Sequence, residues 1–218
     1  MLRCLLDADA TSGYHIDDHQ YKEINMSKLR INIIVGSTRE GRFADKAAAW
    51  VQGVLGQHQE VEVKVLDLHD FNLPLFDAAV SPSYKQAPYE NEEVARFTAE
   101  IAAADAYIIV SPEYNHAPPA VLKNAMDWVY QEWNQKAVAF VSYGSVGGAR
   151  AVEQLRAIAI ELQMAPIRNS VHMLGNDYFP VAFGQADKEQ LFAKMDDQLQ
   201  ALIEQLLWWA RALKVARE

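Results

Sequence analysis

The chain has almost no cysteine. Cys4 is the single one in 218 residues, and it stands in the polar opening stretch. That excludes a disulfide framework, a cysteine metal site and a catalytic thiol in the core. Long hydrophobic runs are missing too: no apolar stretch approaches the ~20 residues of a membrane span. Met1 to Leu6 is short, carries one arginine and is broken by Asp7 and Asp9, unlike a secretory signal. The cytoplasm is the compartment expected by default. Basic residues are scarce: 20 Lys and Arg against 29 Asp and Glu leave a net charge of −9. General nucleic-acid binding is disfavoured, because neutralising phosphates needs a basic face. Two phosphate-loop signatures are absent. There is no Gly-Lys-Ser/Thr of a P-loop, and Thr38 stands where a dinucleotide fingerprint needs its second glycine.

Half the residues are hydrophobic, enough for one α/β domain with an extension. Residues 1–27 are polar, mixed in charge and without periodicity. We expect 1–27 to be a disordered leader or extension and 28–218 to be the domain. The leader's His15 and His19, with Asp17 and Asp18 between them, admit a metal site. Such short clusters are mostly solvated, and no metal is expected.

From Leu29 onward, strand and helix patterns alternate. Ile31 to Val35, Val61 to Leu66, Tyr107 to Val110, Val138 to Val141 and Ile167 to Met173 read as strands. Helical stripes follow four of them: Phe43, Ala47, Trp50, Val51, Val54, Leu55; Val94, Phe97, Ile101; Val121, Leu122, Ala125, Met126, Val129; Val152, Leu155, Ile158, Leu162. Asn91 with Glu92 and Glu93 marks one helix start, and Asp187 with Gln190 marks the last helix. Trp50 is expected in the core. Five β-α repeats imply a doubly wound parallel sheet, order 2-1-3-4-5, with helices on both faces. The switch point of that order lies between strands 1 and 3, where FMN sits in flavodoxin-like folds.

Three loops at strand carboxyl ends hold the candidate site. Gly36-Ser37-Thr38-Arg39-Glu40-Gly41-Arg42 joins a strand to a helix start, a place that binds phosphate through free N–H groups. Ser37, Arg39 and Arg42 add donors. The other reading is a turn that needs glycine for its shape, with arginines as solvated charges. Pro112-Glu113-Tyr114-Asn115 follows the third strand, and Pro118 and Pro119 suit the first turn of the next helix. Ser142-Tyr143-Gly144-Ser145-Val146-Gly147-Gly148 follows the fourth strand. There the N–H groups of Gly147 and Gly148 point from a helix start, or the glycines make a flexible connection.

Gly36-Ser37-Thr38-Arg39-x-x-Arg42, Pro112-Glu113-Tyr114-Asn115, Pro119-x-x-Leu122-Lys123-Asn124-Ala125-x-Asp127 and Ser142-Tyr143-Gly144-x-x-Gly147-Gly148 together resemble the NAD(P)H-dependent FMN reductase family. That family is flavodoxin-like and includes quinone, azo-dye and chromate reductases. The resemblance implies FMN as cofactor and NADPH or NADH as co-substrate. It implies hydride transfer to flavin N5 and onward, by a ping-pong mechanism, to a small-molecule acceptor, in a homodimer or homotetramer. By the same resemblance Ser37, Arg39, Arg42, Phe43 and Ala44 hold the FMN phosphate. The family often has Ser or Asn where Phe43 and Ala44 stand, so backbone donors must do more here. Pro112, Glu113, Tyr114 and Asn115 wrap the ribityl chain and ring edge. Tyr143, Gly144, Gly147 and Gly148 line the pyrimidine side. No side chain need act as acid or base. His116 either donates a proton to a quinone or caps the following helix, and the cap needs only local geometry. Lys123, Asn124 and Asp127 read as interface or supporting residues, and Trp128, Tyr130 and Trp133 as interface aromatics. A flavodoxin-type electron carrier and a redox-sensing flavin-binding protein are the competing readings.

Overall fold

The computed structural model of the chain describes residues 27–84 and 89–218. The expected leader, with Cys4 and its histidines, lies outside the described residues except for Ser27. Five strands, β1 (Leu29–Val35), β2 (Val61–Asp67), β3 (Ala106–Pro112), β4 (Ala137–Gly144) and β5 (Ala165–Leu174), form one parallel sheet in the order β2-β1-β3-β4-β5. That is the expected order. β3 and β4 are buried along their whole length, because helices cover both faces there.

Helices α1 (Ala44–Leu55) and α6 (Lys188–Arg217) pack on one face against Ile31, Ile33, Val110 and Val141. Helices α2 (Glu92–Ala103), α3 (Ala120–Asp127) and α4 (Ala149–Glu161) pack on the other, against Ile34, Tyr107, Ile109 and Phe140. Asn91 caps its helix as read, whereas Asp187 caps the last helix through Glu189 and not in a capping box with Gln190. Asn91 accepts from the N–H groups of Glu93 and Val94, and Asp187 accepts from that of Glu189. Trp50 stacks on Phe192 at 4.8 Å and donates to Asp196.

Two expectations are corrected. The aromatics after α3 are not spare surface: Trp133 is fully buried against Tyr107 and Phe97, and Trp128 is buried, donating to the Pro74 carbonyl. The chain's own core uses them. A helix that the pattern did not announce, α5 (Gly175–Ala182), lies between β5 and α6. Its eight residues begin at glycine and contain Pro180, and Leu174 at its start gives no side-chain cap. It exists because Val181 enters the core and Tyr178 packs on Phe43 and Tyr143.

Candidate active site

The loops after β1, β3 and β4 meet at the carboxyl ends of the three central strands. The register Val35↔Val110 and Pro112↔Tyr143 brings them level. A cavity of about 190 Å³ opens between the first two loops, the end of β4 and α5. Its walls include Arg39, Arg42 and Phe43 from the first loop, Pro112, Glu113 and Tyr114 from the second, Tyr143 from β4, and Tyr178, Phe179 and Phe183 from α5 and its end. Two wider grooves, of about 700 and 640 Å³, lie elsewhere, around Tyr130 and the loop containing Tyr84.

The first loop separates its two arginines by role. Arg42 is turned inward. Its guanidinium pairs with Asp67 at the end of β2, donates to Asp45 at 2.7 Å and donates to the carbonyl of Ser37. Burial disfavours its charge, but the hydrogen bonds to Asp67 and Asp45 outweigh that and hold it more firmly cationic than usual. Arg42 therefore fixes the loop, with four of its five N–H donors engaged by Asp45, Ser37 and Asp67. Arg39 is exposed, lies 5.4 Å from the centroid of the Tyr114 ring, and has no carboxylate partner among the described residues. Ser37 is fully buried, its Oγ 2.8 Å from the Tyr114 hydroxyl. Phe43 is the N-cap residue of α1 and supplies no side-chain cap, so the first N–H groups of α1, at Ala44 and Asp45, get no side-chain oxygen from it.

Tyr143 sits at this end rather than beside the glycines that follow it. Its ring meets Phe43 at 5.0 Å and Tyr178 at 5.2 Å, both edge-on. Its buried hydroxyl hydrogen finds no acceptor among the described residues, while the Ala44 N–H at the start of α1 acts on its oxygen. Burial, and then the neighbouring Tyr114 and Tyr178 hydroxyls, push its ionisation far above the ordinary tyrosine range, so it stays protonated. An orphaned O–H on a cavity wall calls for an acceptor from a ligand.

The second loop turns tightly. Tyr114 and Ala117 exchange backbone hydrogen bonds of 2.9 and 3.1 Å around Asn115 and His116, both left-handed at φ 50° and 68°. Glu113 faces away from this tip. Its carboxylate is 4% exposed, pairs with Arg150, and accepts from the N–H groups of Arg150 and Ala151 at 3.0 and 3.4 Å. Burial opposes its charge, but Arg150 and those N–H groups win and hold it below the ordinary glutamate range. Its side chain thus braces the loop and leaves Tyr114 and Asn115 to face outward. The expectation that His116 caps α3 is wrong. Two prolines delay that helix to Ala120, out of reach, and His116 Nε2 instead accepts from Arg150 Nη1 at 2.7 Å. Lys123 pairs with Asp127 four residues on, and Asn124 holds the Pro74 carbonyl and the Phe76 N–H.

In the third loop the N–H of Gly147 is already taken by the Gly144 carbonyl at 2.9 Å. Of the two glycine donors read from the sequence, only Gly148 stays available. Both glycines are left-handed, at φ 72° and 76°, where a side chain is strained, and a Cβ on Gly148 would stand 2.7 Å from the Ser142 Cβ.

Arg150, His172 and Tyr178 are the participants that motif reading missed. Arg150 stands two residues beyond the Gly147-Gly148 pair, so a first-turn position facing the neighbouring loop was legible. Nothing in the sequence marks the other two.

Comparison with known proteins agrees with this geometry. The sequence model described as NADPH-dependent FMN reductase matches residues 29–179. An NAD(P)H-dependent FMN reductase from a Nectria species is 32% identical over 81% of this chain and 98% of its own length. A quinone reductase of Escherichia coli K12 is 31% identical over 68% and 78%. Among solved structures, the flavoenzyme NAD(P)H:(acceptor) oxidoreductase FerB of Paracoccus denitrificans superposes with a TM-score of 0.62 at 23% identity, covering 84% of this chain and 98% of that one, which is a likeness of fold. The chain belongs to the NADPH-dependent FMN reductase family.

Proposed function

We propose that the protein binds FMN across the three loops and uses it to pass electrons from NADPH or NADH to a flat organic acceptor, such as a quinone, an azo dye or a free flavin. Residues 28–218 are the FMN-binding unit in this reading. One observation carries it: an exposed arginine without a carboxylate partner among the described residues, Arg39, stands beside a helix start that Phe43 leaves without a side-chain cap, on a cavity that also holds the Tyr143 hydroxyl, for which no acceptor is found among the described residues. That donor set suits a terminal phosphate dianion. The bound flavin supplies the two-electron chemistry.

The chain's residues bind and orient. Ser37, Arg39 and the N–H groups at Phe43 and Ala44 hold the phosphate, while Arg42 and Asp67 keep that loop in shape. Pro112, Tyr114 and Asn115 flank the ribityl chain and ring edge. Gly144 and Gly148 let backbone approach the pyrimidine side. His116 Nε2 accepts from Arg150, and the reading assigns no proton transfer to this histidine. The rim residues Asn115, His116, Ser145 and Val146 are exposed, so the described residues leave the ring end open and one open face serves both substrates in turn. Turnover is therefore ping-pong and tolerant of acceptor shape.

A homodimer forms part of the reading, on a different surface from the aromatics first expected. Leu75, Val80 and Tyr84, within ten residues of the connection between β2 and α2, are 82%, 58% and 79% exposed, apolar side chains that a second subunit would cover. Light scattering at micromolar concentration should show at least a dimer; a fully active monomer would contradict it.

The test of function is a spectrum of the purified, FMN-loaded protein before and after anaerobic NADPH, then steady-state rates with a benzoquinone. Bleaching and parallel double-reciprocal lines are expected. Intersecting lines would mean that both substrates bind together, and failure to bleach would favour an electron carrier.

A further inference from the structure

Beneath the glycine loop lies a chain of polar side chains that this function has not used. Ser142, fully buried at the end of β4, has its Oγ 2.6 Å from the Gly147 carbonyl and 2.8 Å from His172 Nδ1 on β5. His172 Nδ1 also faces the Gly147 carbonyl at 3.1 Å, and its Nε2 lies 2.7 Å from Ser170 Oγ. The protons can be assigned. A carbonyl only accepts, so the single Ser142 hydrogen goes to Gly147 at 2.6 Å rather than to the Val171 carbonyl at 3.3 Å. Oγ must then accept from His172, which places a hydrogen on Nδ1. Ser170 donates to Nε2 of the neutral ring. The Ser142 hydroxyl therefore holds this carbonyl down toward the sheet, and the one Nδ1 hydrogen of His172 is shared between Ser142 Oγ at 2.8 Å and the same carbonyl at 3.1 Å.

A trans peptide fixes the consequence. Its C=O and N–H point in opposite directions, and no cis bond occurs among the described residues. With the Gly147 carbonyl held downward, the Gly148 N–H of the same peptide is aimed up and away from Ser142, toward Gly144. The Gly148 nitrogen lies 3.2 Å from where a Gly144 Cβ would stand. No acceptor for this N–H is found among the described residues.

We propose that Ser142 and His172 are positioning residues that orient the Gly147–Gly148 peptide so that the Gly148 N–H serves the pyrimidine end of bound FMN. The inference rests on the FMN reading above. A preset donor at that place acts where negative charge grows on reduction. Its loss lowers affinity for the reduced cofactor more than for the oxidised one, and the midpoint potential falls.

The experiment is potentiometric titration of FMN-loaded parent, Ser142→Ala, His172→Leu and His172→Asn, with apoprotein titrations by flavin fluorescence and thermal melts. The Asn amide N–H2 falls near the imidazole Nδ1, so His172→Asn keeps the donor that His172→Leu removes. Ser142→Ala and His172→Leu should each favour the oxidised cofactor about tenfold more than the parent does, a shift of about −30 mV for a two-electron couple. His172→Asn should return most of that shift. Equal potentials in parent, Ser142→Ala and His172→Leu overturn the inference while leaving FMN binding intact. A potential that follows the loss in melting temperature, with no rescue by His172→Asn, also overturns it. A parent that takes up no FMN would end the functional reading first. If Ser142→Ala does not fold, the His172 pair alone decides.

Discussion

The Tyr114 hydroxyl lies 2.8 Å from Ser37 Oγ, and this one bond joins the loop after β3 to the loop after β1. Neither side chain has another side-chain partner within hydrogen-bond distance among the described residues; the Arg39 N–H is the remaining contact of Ser37, at 3.4 Å. Tyr114→Phe should leave the fold intact and weaken FMN binding by about 0.5–1.5 kcal/mol, the net worth of one hydrogen bond. Fluorescence titration of the apoprotein measures it, and parental affinity would assign the pair to packing alone.

Arg39→Ala should cost more, about 1.5–3 kcal/mol of FMN affinity, the range for a bond to a charged group. The residue is exposed and has no carboxylate partner among the described residues, so the melting temperature without flavin should stay near the parent's. Unchanged affinity would make Arg39 a solvated charge and return the loop to its plain structural reading.

Arg42 predicts the reverse pattern. Its side chain is 9% exposed and that of Asp67 22%, whereas Asp45 is 60% exposed. Asp67→Asn should destabilise the apoprotein by about 1–3 kcal/mol, because a mostly buried cation loses its main partner. Asp45→Asn should change stability by under about 1 kcal/mol, as exposed pairs do. Denaturant melts of the two variants side by side test this, and equal losses would refute it.

Most of the frame was readable before any coordinates. Alternation of Val and Ile runs with helical stripes gave five strands and the switch point, because burial on two faces leaves a strong pattern. Asn91 and Asp187 announced their helices through local chemistry alone. What stayed hidden depends on long-range contact. Trp128 and Trp133 look the same in sequence whether a partner subunit covers them or, as here, the chain's own β2–α2 connection covers Trp128 and α2 covers Trp133. Arg39 and Arg42 differ by which carboxylate lies near, and Asp67 is a whole helix and strand away from both. α5 is held by Val181 and Tyr178 meeting the core, against a glycine start and an internal proline.

Glu113 gives a pH prediction. Its folded ionisation lies below the ordinary range, so its stabilising contribution is complete above the unfolded value of about 4.3 and fades as pH falls through the lower folded value. The stability gap between parent and Glu113→Gln should therefore be constant from neutral pH down to about 5 and shrink below it. A gap that widens on acidification would mean that the carboxylate is not held ionised by Arg150.

Helix α4 starts at Gly148, which has no side chain to close it, and borrows the carboxylate of Glu113 from the neighbouring loop. The two segments are consequently a single exchangeable cassette. Grafting the β3–α3 loop of a relative into this chain, without its β4–α4 partner, would leave an open helix end and a cation without its anion. Swaps meant to alter acceptor choice should be made in both segments at once, and a library that varies one alone will be dominated by folding failures.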